Sequence, residues 1–393
     1  MNYTIQFEHE YNQLSSGQMT PAMAAEYLRG GHIILRSFPE TLKALYPEND
    51  LQARLVAEFS VKTESASGSI PLDFDDSKCP AHSQNMDSAN KKNANSDSAS
   101  RKIRGWLSGQ TRPTDREDIF RIAFALRLSE SDTGLLLGLC TEYGIHYRNG
   151  RDVVYAWFLR MGFSYCEAKE FFDTLPHIPS LGLLPADAPS NLTHQLQNTF
   201  LRVQTKEELR QCYMENIPKF GTLHARAWFY LQKYLGQLIR PIVSYNGVDE
   251  ANYSLEAVME QYFSLHMPSS KKRQGYSVVQ KLLKQNWPNL TTLRNIRLQK
   301  TDVPRKLLLL LYVATENIMD DSYHELDEEY ITMQERLEDH IWTLNAILTD
   351  CGMPVLDLHN AMDWLVLYAI TAEDEPMSDR MEAVLAQLFA DVD

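Results

Sequence analysis

Apolar residues in this chain recur at the three- and four-residue spacing of a helix face, and the period-two alternation of a half-buried strand is scarce. That pattern confines the chain to an all-α, multi-helical fold. Short helices are expected over Pro21–Leu28, Ile33–Leu45 and Asp50–Phe59, with Pro39 and Pro47 as punctuation. With 393 residues, 44% of them apolar and 23% charged, the chain can build two or three ordinary cores.

Composition then changes abruptly. From Lys62 to Ser100 the chain is rich in Ser, Asn, Asp and Lys and nearly free of large apolar side chains. Such a stretch buries too little surface to offset its ordering entropy, so a mobile loop is expected there. Helix-start signals return after Arg101. Thr114-Asp115-Arg116-Glu117 and Ser164-Tyr165-Cys166-Glu167 both fit the capping box, and Ser129 followed by Asp132 is a looser version. A Pro-rich loop (Pro176, Pro179, Pro185, Pro189) leads to helices near Leu192–Val203, Lys206–Asn216 and Thr222–Ile239. Trp228, Phe229, Tyr230 and Tyr234 on the last of these read as core. The chain thus divides into 1–61, 62–100, 101–176, 177–250 and 251–393, the last part helical and acidic.

A degenerate internal repeat is visible. Arg112-Pro113-Thr114-Asp115-Arg116 leads into the apolar run from Ile119, and Thr301-Asp302-Val303-Pro304-Arg305 leads into the apolar run from Leu307. Gly144 with Asp152–Ala156 then matches Gly352 with Asp363–Ala369 across a gap of three residues. Arg116 and Arg305 hold matching places. Each is read either as part of a positive surface or as a structural contact to a neighbouring carboxylate.

The net charge of −14 hides a strong asymmetry. From Glu316 to Asp393 there are 20 acidic against 2 basic residues, whereas Lys271 to Lys306 carries ten basic residues and one acid, Asp302. A local basic stripe steers phosphates whatever the total charge, and solvated helix faces give the same composition. The opening residues show no basic-then-apolar leader, and the run Leu307–Ala314 is too short to cross a bilayer, so no membrane association is expected. Cys79, Cys140, Cys166, Cys212 and Cys351 lie far apart with no CxxC pair, which suits reduced thiols in a cytoplasmic protein.

Read as a helix, Ser100 to Gly109 turns Ile103, Trp106 and Leu107 toward a core. Arg101, Lys102, Arg104, Gly105 and Ser108 remain outside, three cations with a small residue permitting close approach to a groove. Gln110, Thr111 and Arg112 follow as a turn placed to touch phosphate. A weaker copy runs through Ser277–Lys284, a break at Trp287-Pro288, and Thr291–Leu298, which exposes Arg294, Asn295 and Arg297, with Lys300 and Arg305 extending the positive surface.

Leu55-Val56-Ala57-Glu58-Phe59-Ser60-Val61, followed by Ser98 to Pro113 with its Trp106-Leu107-Ser108-Gly109-Gln110-Thr111-Arg112-Pro113, resembles the Cro/repressor (Xre-type) helix-turn-helix family. Thr114 to Leu126 resembles that family's fourth helix. The likeness covers about a fifth of the chain, and the segment Lys62–Ser100 interrupts the family's short turn. It implies a bundle of about five helices whose third lies in the major groove. Ser100, Arg101, Lys102, Arg104 and Ser108 would then face DNA, with Gln110 and Arg112 beside them. The resulting expectation is a DNA-binding transcriptional regulator whose partner is double-stranded DNA, with a protein partner or homodimer contact besides. The alternative is a helical protein–protein scaffold that keeps the fold without binding DNA.

Signatures of catalysis are missing: the sequence holds no P-loop, GxGxxG, HExxH or nucleophile elbow. Asp321, His324, Glu325 and Glu328 share one helix face at a spacing suited to a divalent metal, but acidic helix runs are more often solvated. His146, Tyr147 and Arg148 read as a connecting loop. No catalytic residue, metal or cofactor is therefore expected.

Overall fold

The computed structural model describes the chain apart from residues 1–10, 31–36, 61–86, 141–143, 177–191, 222, 240–253, 266, 269–274, 285–286, 316–331, 373–374 and 391–393; over 87–96 it describes the backbone alone. All regular structure among the described residues is helical. In chain order the helices are α1 (Pro21–Arg29), α2 (Phe38–Leu45), α3 (Leu51–Ser60), α4 (Asp87–Leu107), α5 (Arg116–Leu126), α6 (Glu130–Cys140), α7 (Gly150–Arg160), α8 (Tyr165–Asp173), α9 (Leu192–Leu201) and α10 (Lys206–Asn216). After them come α11 (Ala225–Ile239), α12 (Leu255–Val258) running into a π-helical turn at Met259–Phe263, α13 (Val278–Lys284), α14 (Leu290–Arg297), α15 (Arg305–Thr315), α16 (Met333–Asp350), α17 (Ala361–Ile370) and α18 (Met377–Phe389).

These helices form two compact units. The first comprises Ser37–His177 with Thr199–Ile217; the second comprises Met1–Arg36, Ile178–Asn198 and Pro218–Asp393. The boundaries differ from the consecutive blocks read in the sequence. Residues before Ser37 join the C-terminal helices, and the central stretch 177–250 is shared between the units. No local signal marks such an exchange, because the contacts that define it are hundreds of residues apart.

In the first unit α5 buries Ile119, Phe120, Ile122, Ala123, Phe124 and Leu126, and α7 buries every residue from Asp152 to Phe158. Asp115, not Thr114, caps α5, its carboxylate accepting from the Glu117 amide at 3.0 Å. Ser164 and Glu167 form the expected box on α8, and Ser129 with Asp132 opens α6. The largest departure from expectation is α4. It starts at Asp87, so residues 87–100 are helical rather than part of a loop, and 61–86 lie outside the described residues. Neither Gly nor Pro interrupts the chain between Asp87 and Arg104, and nothing stops the helix from running N-terminally of its buried anchors Ala99, Ile103 and Trp106.

In the second unit α15 and α17 are buried along their length, from Leu307 to Thr315 and from Ala361 to Ile370. Neither is long enough to span a membrane, and no described helix is both long and apolar enough to do so. The aromatic helix α11 is core on one face only: Ala227, Leu231, Tyr234, Leu235 and Leu238 are buried, while Phe229 is 51% exposed.

The two units repeat one packing scheme. α5 packs on α7 and α8 as α15 packs on α17 and α18; α6 meets α7 as α16 meets α17; α2 meets α4 as α12 meets α14. The arginines in matching places both make the structural contact. Arg116 Nη2 donates to Asp152 Oδ2, and to the Gly144 carbonyl at 2.7 Å. Arg305 forks onto Asp363 at 2.6 and 2.8 Å and donates to the Pro354 and Val355 carbonyls at 2.8 and 3.1 Å. Asn149 and Asn360 cap α7 and α17, and the acceptor carboxylate follows three positions later in both. Each carboxylate also accepts the amide six residues before it, His146 or Asp357, at 2.9 and 2.8 Å. Five positions beyond the carboxylate, Trp157 Nε1 donates to the Val203 carbonyl at 3.0 Å, and Tyr368 Oη donates to the Met19 carbonyl at 2.9 Å. Val203 lies just ahead of the Thr205 cap of α10, and Met19 just ahead of the Thr20 cap of α1. Each core is therefore completed by a threonine-capped helix from elsewhere in the chain, α10 in the first unit and α1 in the second.

Candidate nucleic-acid interface

The C-terminal half of α4 is held from behind. Ala99, Ile103 and Trp106 are buried, and Trp106 meets Phe59 of α3 edge-on, with ring centroids 5.3 Å apart. The helix ends in a turn in which Gly109 takes φ 72° and the Thr111 amide donates to the Gly105 carbonyl at 3.0 Å. A Cβ at Gly105 would lie 2.6 Å from Thr111 Oγ1, so the small residue expected to favour groove approach also lets the Thr111 side chain pack against the helix end.

This anchoring leaves Arg101, Arg104 and Ser108 exposed at i, i+3 and i+7, one stripe along the helix, with Gln110 exposed beyond its end. Neither Arg101 nor Arg104 has an ion-pair partner among the described residues; Arg104 Nε donates to the Ser100 carbonyl at 3.3 Å. The remaining expected contacts are placed otherwise. Lys102 is drawn sideways to Asp118 at 2.9 Å and lies over the Trp106 and Phe59 rings, 4.9 and 5.3 Å from their centroids. Ser100 is half-buried. Arg112 turns inward, donating to the Leu139 carbonyl at the end of α6 at 3.5 Å. It serves a helix C-terminus and not the phosphate contact expected of it.

In the second unit α14 occupies the place of α4, with Leu293 and Ile296 buried as Ile103 and Trp106 are. Gln299 takes φ 56° where Gly109 stands in the first unit, and the Asn295 carbonyl accepts from the Lys300 amide at 2.9 Å. Asn295 is half-buried, and Arg294 is ion-paired to Glu256 on α12. Arg297 and Lys300 are exposed, with no ion-pair partner among the described residues. Of the cations expected to meet DNA, Arg101 and Arg104 in the first unit and Arg297 and Lys300 in the second thus remain directed to solvent. Arg305, read as an extension of this surface, is buried against Asp363 instead.

A second polar cluster gave no sequence signal. Glu117, in the first turn of α5, accepts from Arg151 at 2.9 Å, from Tyr155 at 2.8 Å and from Tyr165. Burial and then the Glu117 charge push the Tyr155 phenol well above its ordinary range; burial and the hydrogen bond to Glu117 do the same for Tyr165. Both therefore stay protonated donors. The cluster joins three helices, so no spacing within any one of them reveals it. The metal reading of Asp321, His324, Glu325 and Glu328 lies outside the described residues. Among the described residues no group of His, Cys, Asp and Glu side chains is arranged to hold a metal ion. Comparison of the chain with protein-family models, with curated proteins and with solved structures returns no match.

Proposed function

We propose that the chain is a DNA-binding regulator of helix-turn-helix type, docking α4 of the first unit against the duplex backbone and groove. The observation that carries this reading is the stripe of Arg101, Arg104 and Ser108, exposed on a helix whose opposite side is fixed by Ile103 and Trp106. Exposed guanidinium groups on a rigid helix are suited to displace counterions from phosphate, and side chains of this length reach base edges. Arg297 and Lys300 on and after α14 offer the second unit a smaller version of the same surface.

The test is fluorescence anisotropy with a mixed-sequence duplex at about 50 mM salt, repeated as salt is raised. The full chain should bind, and Arg101→Ala combined with Arg104→Ala should reduce the log–log salt slope by roughly 2. Absence of binding at low salt, or an unchanged slope in the double variant, refutes the reading. The alternative, a helical scaffold for protein contacts, draws on different observations. Lys102 and Arg294 are neutralised by the chain's own carboxylates, and Trp342 on α16 is 73% exposed. Under that reading Trp342→Ala abolishes a protein association while the arginine variants leave it intact.

A further inference from the structure

Because the two units share one packing scheme, each serves as a control for the other. In the first unit the N-terminal turn of α5 and the facing sides of α7 and α8 line a half-open pocket of about 310 Å³, near the lower end of small-molecule sites. Six of its lining residues are Glu117, Arg151, Tyr155, Tyr165, Lys169 and Asp173. The equivalent positions in the second unit are found by counting from Arg116 and Arg305, from Asp152 and Asp363, and from the first residues of α8 and α18. They hold Lys306, Met362, Val366, Met377, Met381 and Leu385, of which the last five are buried.

The scaffold therefore accepts an apolar filling here, which stabilises more than half-exposed ion pairs do. A polar wall kept where methionine, valine and leucine fit is a local departure from core chemistry of the sort that marks a binding site. Most of the wall's charges are already matched: Glu117 with Arg151 at 2.9 Å, Asp173 with Lys169 at 2.7 Å, Asp118 with Lys102 and Arg121 with Glu58, while Asp115 accepts the Glu117 amide as the cap of α5. A ligand of single charge would leave one member of a pair uncompensated in a half-buried site. A ligand carrying both signs replaces each pair like for like.

We propose that this pocket binds a small zwitterion of the free amino-acid class, its carboxylate met by Arg151 and Lys169 and its ammonium by Glu117 and Asp173. The Tyr155 and Tyr165 hydroxyls both donate to Glu117 and so hold in place the carboxylate that meets the ammonium. The proposal is independent of whether the chain binds DNA.

The test is thermal denaturation of the full chain with each common L-amino acid in turn at about 10 mM, with equilibrium dialysis of any that shifts the midpoint. One or a few of them should raise Tm by about 2 °C or more. Arg151→Met and Lys169→Met install the residues of the second unit. Each should abolish the shift and the retention in dialysis, while circular dichroism of the unliganded variants matches that of the unsubstituted chain. If no amino acid moves the Tm of the unsubstituted chain, or if the shift survives in both variants, the proposal is overturned.

Discussion

The buried arginine–aspartate pair of the second unit permits a quantitative prediction about stability. Arg305 and Asp363 side chains are 8% and 1% exposed, joined by two parallel hydrogen bonds of 2.6 and 2.8 Å. Asp363→Ala removes the counter-charge and the acceptor of the Asp357 amide, leaving a buried guanidinium that still donates to the Pro354 and Val355 carbonyls but has lost its carboxylate. Breaking such a pair from one side costs about 3–5 kcal/mol. With a denaturant slope of about 2 kcal/mol/M, the urea midpoint of that unit should fall by roughly 2 M. The first unit is an internal comparison, because the Arg116 side chain is 25% exposed and water can solvate it once Asp152 is gone. Asp152→Ala should therefore lower its own unit's midpoint by roughly half as much. Since two units need not unfold together, the assay is hydrogen exchange during a urea titration, read separately on peptides from α7 and α17. Replacing both partners, Arg305→Met with Asp363→Leu, should recover part of the loss, because no buried charge is then left alone. A drop under about 0.5 M for Asp363→Ala, or a larger drop for Asp152→Ala, would refute this account of the pair.

Three further outcomes follow from the same geometry. Glu167 and Glu335 are held below their ordinary value of 4.5 by backbone and hydroxyl hydrogen bonds from Ser164 and Thr332. Their folded values are depressed, so the stability they add is present above pH 4.5 and lost as pH falls through those folded values; Ser164→Ala should flatten that part of the urea-midpoint profile between pH 3 and 6. Burial pushes the Cys140 thiol up to about 12, and Cys212 and Cys351 are buried too, whereas Cys166 is exposed. Of these four, alkylation of the native protein at pH 8 should therefore modify Cys166 first by mass spectrometry, and prior reaction at Cys140 would contradict its burial. Trp106→Ala should cost the first unit about 3–5 kcal/mol and release α4, which circular dichroism and exchange of the 97–107 amides would register.

Much of the scaffold was legible because local rules governed it. The helix periodicity, the Ser164 cap and the paired Arg116 and Arg305 positions all act within a few residues. The extent of α4 was not legible, since a Ser- and Asn-rich composition describes solvation rather than whether a helix already nucleated by Ile103 and Trp106 extends backward. The site was only half legible. Sequence spacing correctly placed Arg101, Arg104, Arg297 and Lys300 at the surface. It could not show that Asp118 draws off Lys102, that Glu256 draws off Arg294, or that Arg112 serves the end of α6, because those partners lie on other helices. The Glu117–Tyr155–Tyr165 cluster was invisible for the same reason.

The helix that completes each core comes from the far side of the stretch 178–191, with a consequence for what a cut there would do. A fragment ending before 178 would hold α1, needed by the second unit, and one starting after 191 would hold α10, needed by the first. Nicking the backbone in that stretch should yield two pieces that elute together from a sizing column and part only in denaturant. The polypeptide is clasped to itself, so no single peptide bond in that stretch should be needed to keep its two halves together.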